Sequence, residues 1–524
     1  MRVSTVSKMR RLDGSAIKDF GVPDHILMEN AGEAVYYEIL QSLGVNGLRF
    51  TVIGGPGNNG GDSFVVARKL HSSGAQVRVL IFADVDRFSG PTRMNYEMIL
   101  LSGVRLVVDP PSDQIAESLA WCDVVVDGLL GTGLTREVDG RFREVIELVN
   151  SAGKQVVAVD IPSGVDGDTG QVRGEAIRAD TTVTFGLPKR GNLLPPGAVL
   201  GGRLVVTHIS FPPKLLEDRE IPVSINEPSR LPARRIGYRE STCGEVLFVV
   251  GSRDSFEVPG FAVLAMLRTG RCYARLAVPE SISSVLADLD SEIVFAPQEE
   301  TDSGSLTLAA LDGLLEVGQN ADFVVIGPGL SPVEETQELV RQLATRIERP
   351  LLIDGDGTTA VVEAPEVLRQ RSEPTVLMLH PDELSRLSGR PLSDLEGDPI
   401  PTLQDAAQDL EIILVLMGEC TLIGFPDRQV YIDLSGDAVR SSAGSSDVLD
   451  GTIAAMHTLE LPFDEAVRTG IFLHGFAGET AGRDRGTEEV DTRHLLEQLP
   501  VAAKALRDHY ADITANCHGT IKVI

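Results

Sequence analysis

The chain has 524 residues, which is too long for a single hydrophobic core, so two or three domains are expected. Its formal net charge of −29 argues against nucleic acid as a partner, because phosphate backbones are bound by basic surface patches. The sequence has no run of about 18 apolar residues and no signal-type start. We therefore expect a cytoplasmic protein that does not contact membranes.

The first half of the chain alternates helical and strand-like patterns. Residues 4–20 and 26–43 have the periodicity of amphipathic helices, and a third helix is predicted after an apolar run that ends at Ile53. Strand-like runs recur at residues 77–82, 104–108, 124–127, 156–160 and 181–185. This alternation predicts a parallel sheet covered by helices on both faces, which is a doubly wound α/β domain.

A glycine-rich stretch at residues 51–70, TVIGGPGNNGGDSFVVARKL, is predicted to form a strand, a turn and a helix. Glycines allow backbone N–H groups to approach a phosphate, and the N-terminus of the following helix favours negative charge. Asn58, Asn59 and Asp62 add oxygen atoms that suit a hard cation. An ordinary strand-to-helix turn is the alternative interpretation of this stretch.

Two further predicted strands also end in polar, glycine-rich segments, at residues 127–133 and 160–164. In an open α/β sheet the ligand crevice lies beyond the carboxyl ends of the strands, so these segments and residues 58–62 are expected to share one site. Helix capping alone is the competing explanation, since Asp and Ser are common caps.

The pattern changes where prolines recur between residues 212 and 232. We predict a first domain at residues 1–215 and a linker at 216–234. A second domain at 235–505 and a tail at 506–524 follow. The second domain is predicted to contain another α/β series, with strands at residues 245–251, 323–329, 350–356, 375–380 and 411–418 and late helices at 452–459 and 465–481.

Several motifs resemble known families. The first half carries MENAG, GGPGNNGGD, VDGLLGTGL, VVAVDIPSGVDGDTG and FGLPKRG, and it resembles the NAD(P)H-hydrate epimerases. The second half carries GPGL, LHPDEL, DVLDGTIAA and LHGFAGE, and it resembles the ADP- or ATP-dependent NAD(P)H-hydrate dehydratases of the ribokinase-like superfamily. Together the halves resemble the bifunctional nicotinamide nucleotide repair enzymes. The resemblance implies an N-terminal Rossmann-like three-layer α/β/α domain and a C-terminal ribokinase-like α/β domain.

The resemblance implies a substrate, NADH or NADPH damaged by addition of water at C6 of the nicotinamide ring. An epimerase interconverts the R and S hydrates, and a dehydratase restores NAD(P)H from the S hydrate. Asp160 matches the carboxylate that faces the substrate, while Asn59, Asp127 and Ser163 match the ligands of a potassium ion. The positions that match the hydrate-binding segments are Asn58, Asn59, Gly60, Gly61, Asp62, Gly131, Thr132, Gly133, Leu134, Thr135, Arg136 and Glu137.

The epimerase chemistry implied for this substrate depends on the hydroxyl at C6, which is next to the ring nitrogen. Loss of that hydroxyl gives a cation shared between N1 and C6, and water can return on either face. A carboxylate such as Asp160 is expected to stabilise the cation and to move the proton. Ring opening is another route to the same inversion.

In the second half, Asp447 matches the base that deprotonates the hydroxyl attacking a terminal phosphate of ADP or ATP with Mg²⁺. Gly329, His380 and Asp447 match substrate-binding positions. The positions that match the nucleotide site are Met417, Gly418, Glu419, Cys420, Thr421 and Ser446. The family's phosphate-holding lysine is replaced by Met417, and a glycine is replaced by Ser446. These departures predict weak nucleotide binding.

Three other interpretations remain open at this stage. One is an epimerase with a catalytically inactive ribokinase-like domain, and another is a small-molecule kinase with an accessory Rossmann-like domain. The third is a nucleotide sensor or scaffold without turnover, although such a protein has little reason to keep Asn59, Asp127, Asp160 and Ser163 together. We also predict a homo-oligomer whose only other partner is the small-molecule substrate.

Overall fold

The computed structural model describes residues 1–233, 244–270, 272–436, 444–486, 490–515 and 521–523. These residues form two compact units, one comprising Met1–Val223 with the C-terminal residues 521–523, and one that begins at Ser224. The domain start predicted at residue 235 and part of the predicted tail lie outside the described residues. Among the described residues, no helix has both the length and the apolar character needed to cross a membrane.

The first unit is built on a sheet of eight described strands, in the order β18-β7-β6-β5-β4-β1-β2-β3. All described pairings in this sheet are parallel. The strands are β1 (Arg49–Gly54), β2 (Gln76–Ile81), β3 (Arg105–Val108), β4 (Val124–Gly128), β5 (Gln155–Val159), β6 (Thr181–Phe185), β7 (Arg203–Thr207) and β18 (Lys522–Val523).

Helices cover both faces of this sheet, which confirms the predicted three-layer fold. Alternate residues of β1 point to opposite sides: Phe50 and Val52 pack with Phe64 and other helical residues, whereas Ile53 packs with Ile115 and its neighbours. The helices are α1 (Val6–Lys18), α2 (Asp24–Ser42), α3 (Asn58–Ser72), α4 (Gly90–Leu101), α5 (Ser112–Trp121), α6 (Gly140–Ser151), α7 (Gly197–Gly201) and α8 (Pro213–Leu216).

The second unit has a sheet of ten described strands in the order β11-β10-β9-β12-β13-β14-β15-β16-β17-β8. The strands from β11 to β15 are parallel, and β15, β16 and β17 pair antiparallel. The strands are β8 (Val223–Ile225), β9 (Gly244–Val249), β10 (Cys272–Pro279), β11 (Ile293–Gln298), β12 (Phe323–Ile326), β13 (Leu351–Ile353), β14 (Thr375–Leu379), β15 (Ile413–Leu416), β16 (Thr421–Gly424) and β17 (Val430–Asp433).

The predicted α/β class is confirmed for the second unit as well. One face of its sheet, with Val246 and Phe248 of β9, packs against Met266, Val448 and Ile471 from three helices. The helices are α9 (Val258–Thr269), α10 (Glu280–Leu286), α11 (Leu311–Asn320), α12 (Glu334–Arg346), α13 (Asp356–Val362), α14 (Glu366–Arg369), α15 (Pro381–Ser388), α16 (Leu392–Gly397), α17 (Pro399–Leu410), α18 (Ser445–Thr458), α19 (Phe463–Arg485), α20 (Thr492–Asp508) and α21 (Tyr510–Ala515).

The structure differs from the sequence prediction in the glycine-rich stretch. Residues 58–62 are not a turn, because α3 already begins at Asn58 with Gly57 as its N-cap. The glycines allow close packing: a Cβ atom on Gly55 would lie 1.7 Å from the Leu129 carbonyl oxygen, and one on Gly60 would lie 2.2 Å from the Gly55 oxygen. Part of the glycine pattern therefore serves backbone packing.

Candidate functional site

A cavity of about 870 Å³ lies in the first unit, beyond the carboxyl ends of β1, β4 and β5. This is the edge at which the strand order reverses between β1 and β4, where ligands of doubly wound folds bind. The predicted site residues that line it are Asn58, Asn59, Asp62, Gly131, Thr132, Gly133, Leu134, Thr135, Arg136 and Asp160. Gly60, Gly61 and Glu137 are not among the lining residues.

Asp160 follows β5 and is held by an ion pair that the sequence did not predict. Its Oδ1 lies 2.5 Å from Lys189 Nζ, and the two side chains are 14% and 2% exposed. The same oxygen accepts hydrogen bonds from Thr184 Oγ1 at 3.0 Å and from the Phe185 amide at 3.4 Å. Three donors on one oxygen hold the Asp160 carboxyl group in place.

The backbone also fixes the position of Asp160. Its φ angle is 69°, in the left-handed region that non-glycine residues rarely occupy. Its amide donates to the Val183 carbonyl at 2.7 Å, and its own carbonyl accepts from Asn192 Nδ2 at 3.1 Å. A strained residue held by contacts on both sides is typical of a functional position.

Two more carboxyl groups, on Asp13 and Asp62, line the same cavity. Burial raises the pKa of Asp13 to about 6, opposed by Lys189 and reinforced by Asp160. Burial, followed by the charges of Asp160 and Asp13, raises the pKa of Asp62 well above its ordinary value. The cavity lining therefore includes Asp13, Asp62 and Asp160 together with Lys189.

Sequence reasoning missed Asp13 and Lys189. Asp13 interrupts the buried face of α1, which is formed by Met9, Leu12 and Ala16, so an acidic residue beside an apolar stripe was the available signal. Lys189 stands in the quoted FGLPKRG motif but follows a strand that carries no other predicted site residue. Its ammonium also donates to Thr184 Oγ1 and to the Phe185 carbonyl.

The predicted cation ligands form a buried cluster of oxygen atoms. Ser163 Oγ donates to Asp127 Oδ1 at 2.6 Å, and the Ser163 amide donates to Asp127 Oδ2 at 2.8 Å. Asn59 Nδ2 donates to the Leu130 carbonyl at 3.1 Å, which brings that carbonyl beside Ser163 Oγ. Burial raises the pKa of Asp127. Carboxylate, hydroxyl and carbonyl oxygens with one formal charge fit a hard monovalent cation.

In the second unit, predicted residues again lie at the carboxyl ends of parallel strands. Gly329 follows β12 with a φ angle of 66°, and a Cβ atom there would lie 2.9 Å from Ser255 Cβ. His380 follows β14, is exposed and caps α15, where its amide donates to Glu383 at 2.8 Å. The strands that these residues follow, β12 and β14, lie on either side of β13 in the sheet.

Asp447 lies in the first turn of α18 and is 8% exposed. Burial, with the nearby charge of Asp354, raises its pKa to about 7. Asp450, one turn further along, is fully buried, and no donor among the described residues reaches either of its carboxyl oxygens. Burial and the charges of Asp354 and Asp447 raise the Asp450 pKa well above its ordinary value. Burial therefore favours the protonated form of Asp450.

Two family models match the chain. Residues 24–191 match the YjeF-related protein N-terminus, and residues 246–501 match the model described as NAD(P)H-hydrate dehydratase. The chain is 44% identical to the bifunctional NAD(P)H-hydrate repair enzyme Nnr of Thermofilum pendens over 526 residues, which covers 100% of each. The chain belongs to the family of bifunctional NAD(P)H-hydrate repair enzymes.

The chain is also similar to another family member and to a solved structure. The repair enzyme of the same name from Moorella thermoacetica is 36% identical over 98% of this chain and 99% of its own length. A crystal structure of the ADP/ATP-dependent NAD(P)H-hydrate dehydratase of Bacillus subtilis, co-crystallised with ATP and Mg²⁺, is 22% identical with a TM-score of 0.44. It covers 52% of this chain and 94% of that chain. The family resemblance drawn from the motifs is confirmed.

The predicted nucleotide positions of this repair-family chain occupy two places. Met417 to Cys420 form the turn between β15 and β16, which begins at Thr421. Met417 is half-buried and packs against the apolar core, while Gly418 and Glu419 are exposed. Ser446 is half-buried in the first turn of α18. The Met417 side chain thus packs into the core. The lysine that the family has at this position is predicted to hold phosphate instead.

Proposed function

We propose that the protein repairs hydrated NADH and NADPH, with the first unit interconverting the R and S epimers and the second unit dehydrating the S epimer at the expense of ADP or ATP. Membership of the repair-enzyme family supports both activities. The observation that carries the epimerase proposal is the fixed, buried pair of Asp160 and Lys189 in a cavity of about 870 Å³. A cavity of this size accommodates a cofactor-sized ligand.

The cavity provides for both ends of such a substrate. The first turn of α3, beside Asn58, presents unpaired backbone N–H groups of the kind that bind phosphate. At the other end, Asp160 supplies a fixed negative charge for the cation that forms at N1 and C6 when the hydroxyl leaves. A preorganised charge that needs no reorientation stabilises that transition state more than it stabilises the neutral substrate.

Potassium is proposed as the cation held by Asn59, Asp127 and Ser163, with the Leu130 carbonyl beside them. When bound, the ion would supply positive charge beside the cavity, which Asn59 and Leu130 line. The oxygen-only cluster supports this proposal, because potassium prefers oxygen ligands of low total charge.

The potassium proposal predicts a salt-specific gain in thermal stability of the full chain. Replacing NaCl by KCl at equal ionic strength should raise the Tm of the first unit. A ligand present at 100 times its Kd adds about 2.7 kcal/mol to the free energy of unfolding. Ser163→Ala should lose this increment, and the exposed Ser151→Ala should keep it. Equal Tm values in the two salts for the unaltered chain would contradict the site.

Asp447 is proposed as the base of the second unit. It would accept the proton of the C6 hydroxyl while that oxygen attacks the terminal phosphate of the nucleotide, and the resulting phosphate would then leave. The nucleotide, with Mg²⁺, would meet the N-terminal backbone N–H groups of α18 near Ser446. Met417 and Glu419 supply no positive charge, so we expect a high KM for ADP and ATP.

One assay tests both halves of the proposal. The R and S hydrates are incubated separately with the full chain and with ADP, ATP or no nucleotide. We expect chromatography to show equilibration of the epimers without any nucleotide, and reduced-nicotinamide absorbance to return only with ADP or ATP. An unchanged epimer ratio would contradict the epimerase. Epimerisation without any recovery of absorbance would identify the second unit as an inactive ribokinase-like domain.

The homo-oligomer and the cytoplasmic location are further proposals for this repair enzyme. The net charge of −29 and the proposed small-molecule substrate are consistent with a protein that does not bind nucleic acid.

A further inference from the structure

Epimerisation by loss and return of water needs two proton transfers on opposite faces of the ring. The leaving hydroxyl must gain a proton on one face, and the incoming water must lose one on the other. Asp160 is poorly suited to either task, because Lys189, Thr184 and the Phe185 amide all donate to its Oδ1. These three contacts hold that oxygen in place and occupy it.

Asp13 and Asp62 differ from Asp160 in this respect. Both line the cavity, and no donor among the described residues forms a hydrogen bond with either side chain. They come from different elements, Asp13 from α1 and Asp62 from the first turns of α3. Two carboxyls without competing partners are therefore directed to one ligand cavity from two helices.

Burial and neighbouring charges raise the pKa values of both carboxyls. Asp160 raises the pKa of Asp13 and of Asp62, and Lys189 lowers both, while burial is the largest cause in each case. The pKa of Asp62 is raised well above its usual range, mainly by burial, which favours the protonated carboxyl that a general acid needs. The pKa of Asp13 is raised to about 6, so Asp13 is mostly ionised at pH 7. Such a separation marks an acid and a base.

We propose that Asp62 and Asp13 are the general acid and general base of the epimerisation, acting on opposite faces of C6, with Asp160 as the fixed electrostatic partner of the ring cation. This inference rests on the proposed epimerase function. It assigns proton transfer to residues other than Asp160.

The proposed steps balance in atoms and charge. Asp62 gives its proton to the C6 hydroxyl, the C6–O bond breaks with its electron pair on the departing water, and the N1 lone pair forms the N1–C6 double bond. Water then adds to C6 on the other face, the N1–C6 π pair returns to N1, and the surplus proton passes to Asp13. The final state has ionised Asp62 and protonated Asp13, which is the state required for the reverse reaction.

The titration of Asp13 is set by its surroundings. Lys189 and Asp160 face it from the segments after β6 and β5, and Asp62 faces it from α3. Arg10 of α1, Asp24 of α2 and Arg136 also line the cavity. Of these, Lys189 lowers the pKa and Asp160 raises it, while burial is the largest cause of the upward shift.

The test is the pH dependence of kcat/KM for nucleotide-free epimerisation by the full chain, after subtraction of the uncatalysed rate. For the unaltered chain we expect kcat/KM to fall as pH drops through about 6, because Asp13 gains its proton there. Asp13→Asn should lower the rate about 100-fold and remove this acid limb. Asp62→Asn should lower the rate by a similar factor and keep the limb. The exposed Asp19→Asn, at the C-cap of the same helix, should change neither quantity.

The outcomes separate this inference from the proposed function. If the unaltered chain showed no epimerisation, the proposed epimerase function itself would be contradicted. Epimerisation with no acid limb, or with Asp13→Asn and Asp62→Asn both within about threefold of the parent, would overturn the assignment of acid and base. The pH dependence of kcat/KM for the unaltered chain can contradict the assignment without any variant. The inference therefore remains testable even if a variant does not fold.

Discussion

Asp160→Asn is expected to lower kcat for epimerisation by about 100- to 1,000-fold, the range found when one preorganised electrostatic contact to a transition state is removed. The amide is nearly isosteric but carries no charge for the cation at N1 and C6. KM should change less than kcat, because the neutral substrate gains little from that charge. Initial rates from chromatographic separation of the epimers measure both quantities.

This substitution also affects stability, since Lys189 would lose its anionic partner. The Lys189 side chain is only 2% exposed, and breaking a buried ion pair from one side costs about 3–5 kcal/mol. The double variant Asp160→Asn with Lys189→Met removes the buried charge, so it should recover much of the free energy of unfolding. Chemical denaturation of the first unit's transition measures this recovery.

The two readouts distinguish an electrostatic role in catalysis from a structural one. We expect the double variant to be more stable than Asp160→Asn yet equally inactive. A double variant that regains epimerisation along with stability would show that Asp160 only anchors Lys189 and the loop after β5.

The parallel strands at the centre of both sheets could be predicted from the sequence because they are buried on two faces. Val124–Gly128 begins with three valines and Phe323–Ile326 is apolar throughout, so their apolar residues do not alternate with polar ones. The peripheral strands were missed. Lys522–Val523 and Val223–Ile225 are two and three residues long, and their pairing partners are distant in the chain, so no local pattern marks them.

The candidate site also contains residues that could be predicted from the sequence and residues that could not. Asn58, Asp127 and Asp160 could be predicted because the rule for strand ends places them together whatever the details of the fold. Asp13 could not, because it comes from a helix before the first strand, and only the packing of α1 brings it to the cavity. Lys189 is fixed by hydrogen bonds to Thr184 and Phe185, and such contacts have no sequence signature.

The second unit shows a different limit of sequence reasoning. Asp447 could be predicted from the DVLDGTIAA motif that it begins, but the carboxyl groups that surround it could not. Asp354 follows β13, and Asp450 lies one turn along α18, so only the fold shows that three carboxyls influence one another there. The charge of Asp354 reinforces burial in raising the pKa of Asp447 to about 7.

Asp447→Asn is expected to lower the nucleotide-dependent recovery of reduced-nicotinamide absorbance by about 1,000-fold, within the range for loss of a general base. Because the raised pKa of Asp447 is about 7, the carboxylate is ionised above that pH, so the dehydration rate of the unaltered chain should rise with pH through about 7 and level off. The exposed Asp464→Asn should leave rate and profile unchanged, and epimerisation should persist in both variants. Dehydration that survives in Asp447→Asn with the same pH profile would place the base elsewhere. Asp450 is an unsuitable replacement, because burial raises its pKa well above the ordinary value and disfavours the ionised carboxylate that a base needs.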